Sequence, residues 1–299
     1  MNQHMPPEPV ALFDIGAQRR RLGKSIDEAV ARVLSHCQFV SGPEVTALEQ
    51  ALADYCGAKH VVSCANGTDA LVMVLMAIGV GTGDAVFCPS FTFCATASPV
   101  ARTGATPLFV DVDETTFNMT RASLERGIAT ARKLGLKPRA VIPVDLFGQS
   151  ADHDAIGELA RAEGLFVLDD AAQSFGATYH GRKLGTLADA TTTSFFPTKP
   201  LGCYGDGGAI FTDDDDLANT LRSIRVHGQG SEKYDNIRIG MTGRLDTIQA
   251  AVLLEKLKIF DDEIAARNAV AARYAGGLRN VVTVPRLASG TVKIGRAHV

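Results

Sequence analysis

Residues 191–211 read TTTSFFPTKPLGCYGDGGAIF. Thr191 to Phe195 is β-branched and apolar, Gly208 to Phe211 is apolar again, and the residues between are rich in glycine and proline. This pattern predicts two buried strands joined through a tight turn. Lys199 stands in that turn as a single ammonium among apolar residues and glycines. Such surroundings lower a lysine pKa by desolvation and make the neutral amine available as a nucleophile. Ser194 puts a hydroxyl shortly before it. The chemistry this suggests is a Schiff base between Lys199 and pyridoxal phosphate, with Ser194 beside the cofactor phosphate. A solvated loop lysine is the competing reading, and the context has to decide.

Upstream of this stretch the chain alternates strand and helix patterns from about His60 onward. Short apolar runs at 60–64, 85–88, 107–110, 140–144 and 165–168 are separated by helical segments such as 69–78, 123–134 and 153–163. Runs that are apolar throughout indicate strands covered on both faces. The expectation is an α/β domain on a mostly parallel sheet with crossover helices. Such sheets bind ligands at the C-terminal ends of their strands.

Several strand ends carry suitable groups. Ala65-Asn-Gly-Thr-Asp-Ala70 lies at a strand-to-helix transition, where Gly67 allows close approach and the helix start offers N–H donors to an anion. Thr68 or Asp69 acting only as a helix cap explains the same residues equally well. Leu165–Gln173 ends a buried strand in Asp169 and Asp170, which alternation points in opposite directions. One of the two can face a pyridine nitrogen and hold its proton, while the other caps the turn from Ala171 onward. Gln173 is placed to support the ring hydroxyl. Phe91 and Phe93 follow another strand end, where an aromatic ring either stacks on a planar cofactor or joins the core.

Toward the N-terminus, Ser25-Ile-Asp-Glu28 predicts a capping box opening a helix. Pro43 predicts the first turn of the next helix, which Gly57 ends. Asp213–Asp216 follows a strand and precedes an apolar-periodic segment, so a helix start explains it better than a metal site. From Arg244 to about Tyr274 a long helical pattern carries two apolar stripes.

The bulk numbers exclude some classes. The chain has 299 residues, 46% hydrophobic and 21% charged, with a net charge of −3. That balance suits a globular enzyme-sized domain and gives no electrostatic footprint for nucleic acid or an anionic membrane. The opening MNQHMPPEPV is polar and proline-rich, unlike a signal peptide, and no apolar run predicts a membrane span. The six cysteines lack a C-x-x-C pair, which predicts reduced thiols in a cytoplasm, with neither zinc site nor disulfide framework.

Taken together, CANGTDAL (64–71), PSFTFCAT (89–96), DDAAQSFGA (169–177) and SFFPTKPLGCYGDGGAI (194–210) resemble the DegT/DnrJ/StrS nucleotide-sugar aminotransferases. The likeness runs from about Leu12 to Leu278. It implies an aspartate-aminotransferase-like fold of type I, a homodimer with shared active sites, and pyridoxal 5'-phosphate as cofactor. It implies Lys199 as the cofactor lysine and Asp170 as the pyridine-nitrogen partner. Gly67, Thr68, Asp69 and Ser194 would then hold the phosphate, with Phe93 on the ring and Gln173 at its hydroxyl side. FVSGPEV and GRLDTIQAAVLLEKL are most similar to members that aminate a UDP-linked 3-keto-N-acetylglucosaminuronate, with glutamate as donor, for surface polysaccharides. A 4-keto nucleotide sugar is the alternative acceptor. A nicotinamide oxidoreductase would need G-x-G-x-x-G at the first strand-to-helix turn, where this chain has one glycine.

Two departures accompany the likeness. Thr242 stands where the family usually has an asparagine that reaches the phosphate in the neighbouring subunit. Arg244 matches a family arginine and is the candidate for an anionic group on the substrate, again across the dimer. The family also continues into a C-terminal small domain that is largely missing here. The expected division is an N-terminal arm and large domain over 1–243, then a connecting helix and the start of the small domain over 244–293. The last residues, IGRAHV (294–299), match the translation of a common sequencing-adapter read and are expected to be a non-native tail. An inactive fragment that serves only as a dimerisation partner is the rival reading that this second departure makes credible.

Overall fold

The computed structural model describes residues 13–232 and 234–295. The first twelve residues of the expected arm and residues 296–299 of the expected tail lie outside the described residues. Three helices open the chain: α1 (Ile15–Leu22), α2 (Lys24–His36) and α3 (Pro43–Cys56). Pro43 begins α3, and Gly57 ends it in the left-handed conformation at φ 81°. The Ser25–Glu28 capping box does not form. Gly23, at φ 57°, separates the two helices and α2 begins at Lys24, so Ser25 falls inside its first turn and donates to Leu22 O at 2.9 Å.

From β1 (His60–Cys64) the alternation runs through α4 (Gly67–Ala77), β2 (Asp84–Pro89), α5 (Ser98–Arg102), β3 (Thr106–Val110), α6 (Arg121–Lys133), β4 (Lys137–Val141), α7 (His153–Glu163) and β5 (Phe166–Asp170). A small excursion, β6 (Thr178–Tyr179) and β7 (Arg182–Lys183), precedes the hairpin β8 (Ala190–Ser194) and β9 (Gly208–Thr212). The fourth strand starts and stops three residues earlier than its apolar run suggested. Its register is set by pairing with β2 rather than by its own hydrophobicity. Then follow α8 (Asp215–Ile224), α9 (Thr247–Leu257), α10 (Phe260–Leu278) and β10 (Thr291–Val292), which pairs with β6.

Seven strands form one sheet in the order β1-β9-β8-β5-β4-β2-β3. Only β9 runs against its neighbours, pairing antiparallel with both β1 and β8; the other pairs are parallel. Alternation sorts the side chains to two faces. Val62, Val86, Ile142, Leu168 and Ile210 pack with α4 and α8. Their neighbours Phe87, Val141 and Val167 pack under α6 and α7, and Val61, Ala209 and Phe211 under α3 and α9. Two covered faces explain why these strands are apolar without interruption.

The segment after Arg244 forms two helices, broken at Lys258-Ile259. Its two stripes face different surroundings: Ile248 of one packs toward Ala29 and Val33 of α2, while Leu253 and Phe260 of the other join the core under the sheet. Ile294 is fully buried beside Ala171, Tyr179 and Leu184, and its N–H donates to Gly148 O at 2.9 Å. No helix among the described residues is long and apolar enough to cross a membrane.

Candidate active site

The C-terminal ends of β1, β2, β5 and β8 surround a cavity of about 640 Å³. Its walls include Gly67, Thr68, Asp69, Phe93, Asp170, Gln173, Ser194 and Lys199. Eight of the ten residues expected at the site therefore meet in one place, although they come from four separate stretches of sequence. Thr242 and Arg244 do not line this cavity. They follow α8, where Thr242 is exposed and its hydroxyl lies 2.9 Å from His227 Nε2.

The hairpin supplies the lysine. Phe195 is fully buried in the core, which pins the end of β8 and turns the chain outward. Lys199 N–H donates to Phe196 O at 2.9 Å, closing the turn. Its side chain is half-buried at the cavity wall, more open than the desolvated amine expected from the flanking glycines. Two cations from the helices behind hold the next residues: Lys256 donates to Gly202 O at 2.6 Å and Arg267 to Pro200 O at 2.9 Å.

Two glycines let the hairpin close against the α4 turn. A Cβ on Gly67 would lie 2.7 Å from the Ser194 Cβ, and one on Gly208 would lie 2.6 Å from the Asn66 carbonyl. Asn66 caps α4 by accepting from Asp69 N–H at 2.8 Å. Asp69 also accepts from Asn66 Nδ2 at 2.9 Å and sits 3.6 Å from Arg102. The cap is therefore Asn66, not Thr68 or Asp69 as the sequence suggested, because the helix already begins at Gly67; Asp69 instead braces the turn. The N–H groups of Gly67 and Thr68, at the start of the helix, have no partner within it. With the hydroxyls of Thr68 and Ser194 they form a donor cluster suited to a phosphate.

Asp170 ends β5 on the cavity side, and Asp169 faces away into the protein, as alternation required. Burial raises the Asp170 carboxyl above its ordinary value, while the Ala172 N–H, the Lys199 ammonium and the Thr96 hydroxyl pull it back toward the ionised form. The Ala172 bond is 3.1 Å and the Thr96 bond 3.3 Å. Thr96 sits within a segment the sequence had marked, but its role depends on the loop after β2 folding back over β5. Gln173 uses its Oε1 to accept from Phe147 N–H at 2.9 Å, which orients its amide at the wall. Phe93 is 67% exposed, so its ring is available to cover a planar ligand; Phe91 instead packs with Phe117 and Phe147.

A larger concavity of about 990 Å³ lies where β4, β5 and β8 begin, against Asp213–Asp216. Its acids are occupied structurally. Asp213 accepts from Lys59 N–H, Asp214 caps α8, and Asp215 pairs with Lys59 and His60. It has no nucleophile and sits at the wrong end of a parallel sheet for ligand chemistry.

The residues at the first cavity fit pyridoxal phosphate on the structure's own terms. A phosphate-sized donor cluster, a buried acid and a lysine face one space, and the glycines there leave room that a Cβ would fill. Comparison with known proteins agrees with this. Residues 20–293 match the DegT/DnrJ/EryC1/StrS aminotransferase family. UDP-2-acetamido-2-deoxy-3-oxo-D-glucuronate aminotransferase of Pseudomonas aeruginosa is 52% identical over 272 residues, covering 91% of this chain and 74% of that protein. A DegT/DnrJ/EryC1/StrS aminotransferase from Brucella abortus superposes with a TM-score of 0.94 at 51% identity, covering 96% of this chain and 77% of that one. NtdA from Bacillus subtilis, solved with bound cofactor PMP, gives 0.87 at 29% identity, over 98% of this chain and 66% of that one.

Proposed function

This chain belongs to the DegT/DnrJ/EryC1/StrS aminotransferase family, and from that premise we propose that it aminates a keto nucleotide sugar using pyridoxal phosphate. We assign UDP-2-acetamido-2-deoxy-3-oxo-glucuronate as acceptor, the substrate class in the name of the 52% identical relative, and glutamate as donor. Synthesis of a surface-polysaccharide amino sugar in the cytoplasm is the setting that accompanies this assignment. The observation that carries the reading is Lys199 and Asp170 on one cavity, close enough for the ammonium to bias the acid.

Bound there, the cofactor supplies a conjugated ring able to accept the electron pair left when a C–H bond beside nitrogen breaks. The Lys199 amine would anchor the cofactor and serve as the base that takes the α-proton and returns it. The Asp170 carboxylate, held in aim by Ala172 and Thr96, would accept from the ring N–H and keep the proton there. The first turn of α4, with Thr68 and Ser194, binds the phosphate. Phe93 covers the ring and excludes water, and Gln173 supports its hydroxyl side.

Thr242 and Arg244 enter this scheme from a second copy of the chain. Their segment also exposes Ile237 and Ile239, at 57% and 85%, and exposed apolar side chains of this size favour an interface. Arg244 then faces an anionic group of the acceptor, and Thr242 offers its hydroxyl to the phosphate. A division near residue 243, with α9 and α10 leading out of the large domain, belongs to the same proposal. The test is a coupled assay of 2-oxoglutarate release with glutamate and a panel of UDP-keto sugars. Turnover confined to the 3-keto uronate is the expected result. Turnover only with a 4-keto sugar would reassign the acceptor.

A further inference from the structure

Behind the active site lies a second ionisable cluster that the catalytic scheme does not use. Asp145, His153 and Asp169 are all buried, and an imidazole nitrogen and one oxygen of each carboxylate lie within 4.8 Å of one another. His153 Nε2 is 3.3 Å from Asp145 Oδ1 and 3.6 Å from Asp169 Oδ1. Asp145 is fastened by protein donors, accepting from Ala151 N–H at 2.7 Å and from the Ser174 hydroxyl at 3.1 Å. Neither oxygen of Asp169 meets a donor at full hydrogen-bond geometry among the described residues, although the nearby Thr191 hydroxyl favours its charged form. An ionised carboxylate in that position is costly unless a cation stands beside it.

The cluster touches Asp170 directly. Asp169 precedes it in β5, and Asp145 N–H donates to Asp170 O at 3.1 Å. The Asp145 and Asp169 carboxyl groups therefore flank His153 behind the strand end that carries Asp170, and His153 is the cationic group against both of them. We propose that His153 is a positioning residue: its proton, held between Asp145 and Asp169, offsets their charge so that Asp170 remains the ionised acid facing the pyridine nitrogen. The inference rests on the cofactor reading given above and extends it to residues outside the cavity.

The electrostatics of the cluster are consistent with this. Burial alone would lower the His153 pKa, but Asp169 and Asp145 outweigh burial and push it up to about 9. Asp152 adds to the same effect, and the edge of the Tyr179 ring packs against the imidazole at 5.8 Å. Burial and Asp145 raise Asp169, which His153 lowers. Asp145 also raises Asp170, so the two sites share a field.

The test compares two cofactors, pyridoxal phosphate and its deaza analogue, which has CH in place of the ring nitrogen. Their dissociation constants are measured across the acid-to-neutral range for wild type and for His153→Met. Wild type binds pyridoxal phosphate with an acid limb, set by Asp170, that the deaza analogue lacks. Loss of the His153 charge moves that limb to higher pH, by about one unit, a tenfold weakening on its slope. Circular dichroism confirms folding. Where the Met variant does not fold, His153→Gln, which keeps an N–H but no charge, carries the same expectation. An unmoved limb, or equal weakening of both cofactors at every pH, overturns the inference, because Asp169 then takes up the proton or His153 only fills space. Failure of wild type to bind either cofactor would instead sink the cofactor reading itself.

Discussion

The acid at the end of β5 is where single-residue arguments have most force. Asp170 is buried, yet three neighbours favour its charged form, and the proposed chemistry needs that charge. Asp170→Asn keeps the shape and removes the charge. It should lower kcat/KM by about 10²–10³, the range seen when a preorganised charge-stabilising group is lost. It should also weaken cofactor binding while leaving the circular dichroism spectrum unchanged; a kcat/KM within about threefold of wild type would remove Asp170 from the mechanism. Both Asp170 and Lys199 were readable because strand ends and tight turns leave local signatures. The Asp145–His153–Asp169 cluster was not. Its members stand in three separate segments, each resembling an ordinary cap or turn residue, and only the packing of α7 against β5 brings them together.

At the scale of elements, the critical contact is the α4 turn against the β8–β9 hairpin. Gly67→Ala places a methyl 2.7 Å from the Ser194 Cβ, with backbone on one side and strand on the other. Relief requires the turn to shift, at a cost of about 1–3 kcal/mol for overpacking. Thermal unfolding without cofactor should show that loss, and the phosphate end should bind cofactor more weakly than in wild type. An unchanged melting midpoint with unchanged affinity would mean that the turn is softer than its packing implies. Helices and strands in this region were legible because a short, continuous apolar run between glycines fits a buried strand better than any solvent-facing element. Failures came at helix boundaries. The Ser25 box gave way to a helix start at Lys24, set by Gly23, and the 244–274 pattern is interrupted at Lys258-Ile259.

For the molecule as a whole, assembly and pH response are both open to test. If Arg244 acts in the partner's site, an Arg244→Ala chain and a Lys199→Ala chain are each inactive as homodimers. Co-refolded heterodimers then hold one intact site, so activity should return to about one quarter of wild type by random pairing. No recovery would place Arg244 in its own chain's site. The pH response turns on His153, which is raised from 6.5 to about 9, so its contribution to stability is full below 6.5 and is lost as pH rises through about 9. Asp169 and Asp170, also raised, act in the same direction from lower pH. Melting of the cofactor-free protein should therefore fall as pH climbs from 6.5 to 9, by about 2 kcal/mol, and His153→Met should flatten that slope. The topology itself was largely foreseeable, because uninterrupted apolar strands separated by helices admit few arrangements. The single reversed strand, β9, was implied by the hairpin; its insertion beside β1 was not.

The central claim is that one amine, Lys199, carries the cofactor. A second buried amine makes the claim testable: Lys256 is 1% exposed and burial lowers its pKa to about 8, the property expected of a nucleophilic lysine. It does not line the cavity with Asp170, and its Nζ is held by Gly202 O. The decisive measurement is borohydride reduction of the protein loaded with pyridoxal phosphate, followed by peptide mass mapping. The account predicts a pyridoxyl group on Lys199 and no visible absorbance band in a Lys199→Ala chain. A label on Lys256, or on no lysine at all, would contradict it.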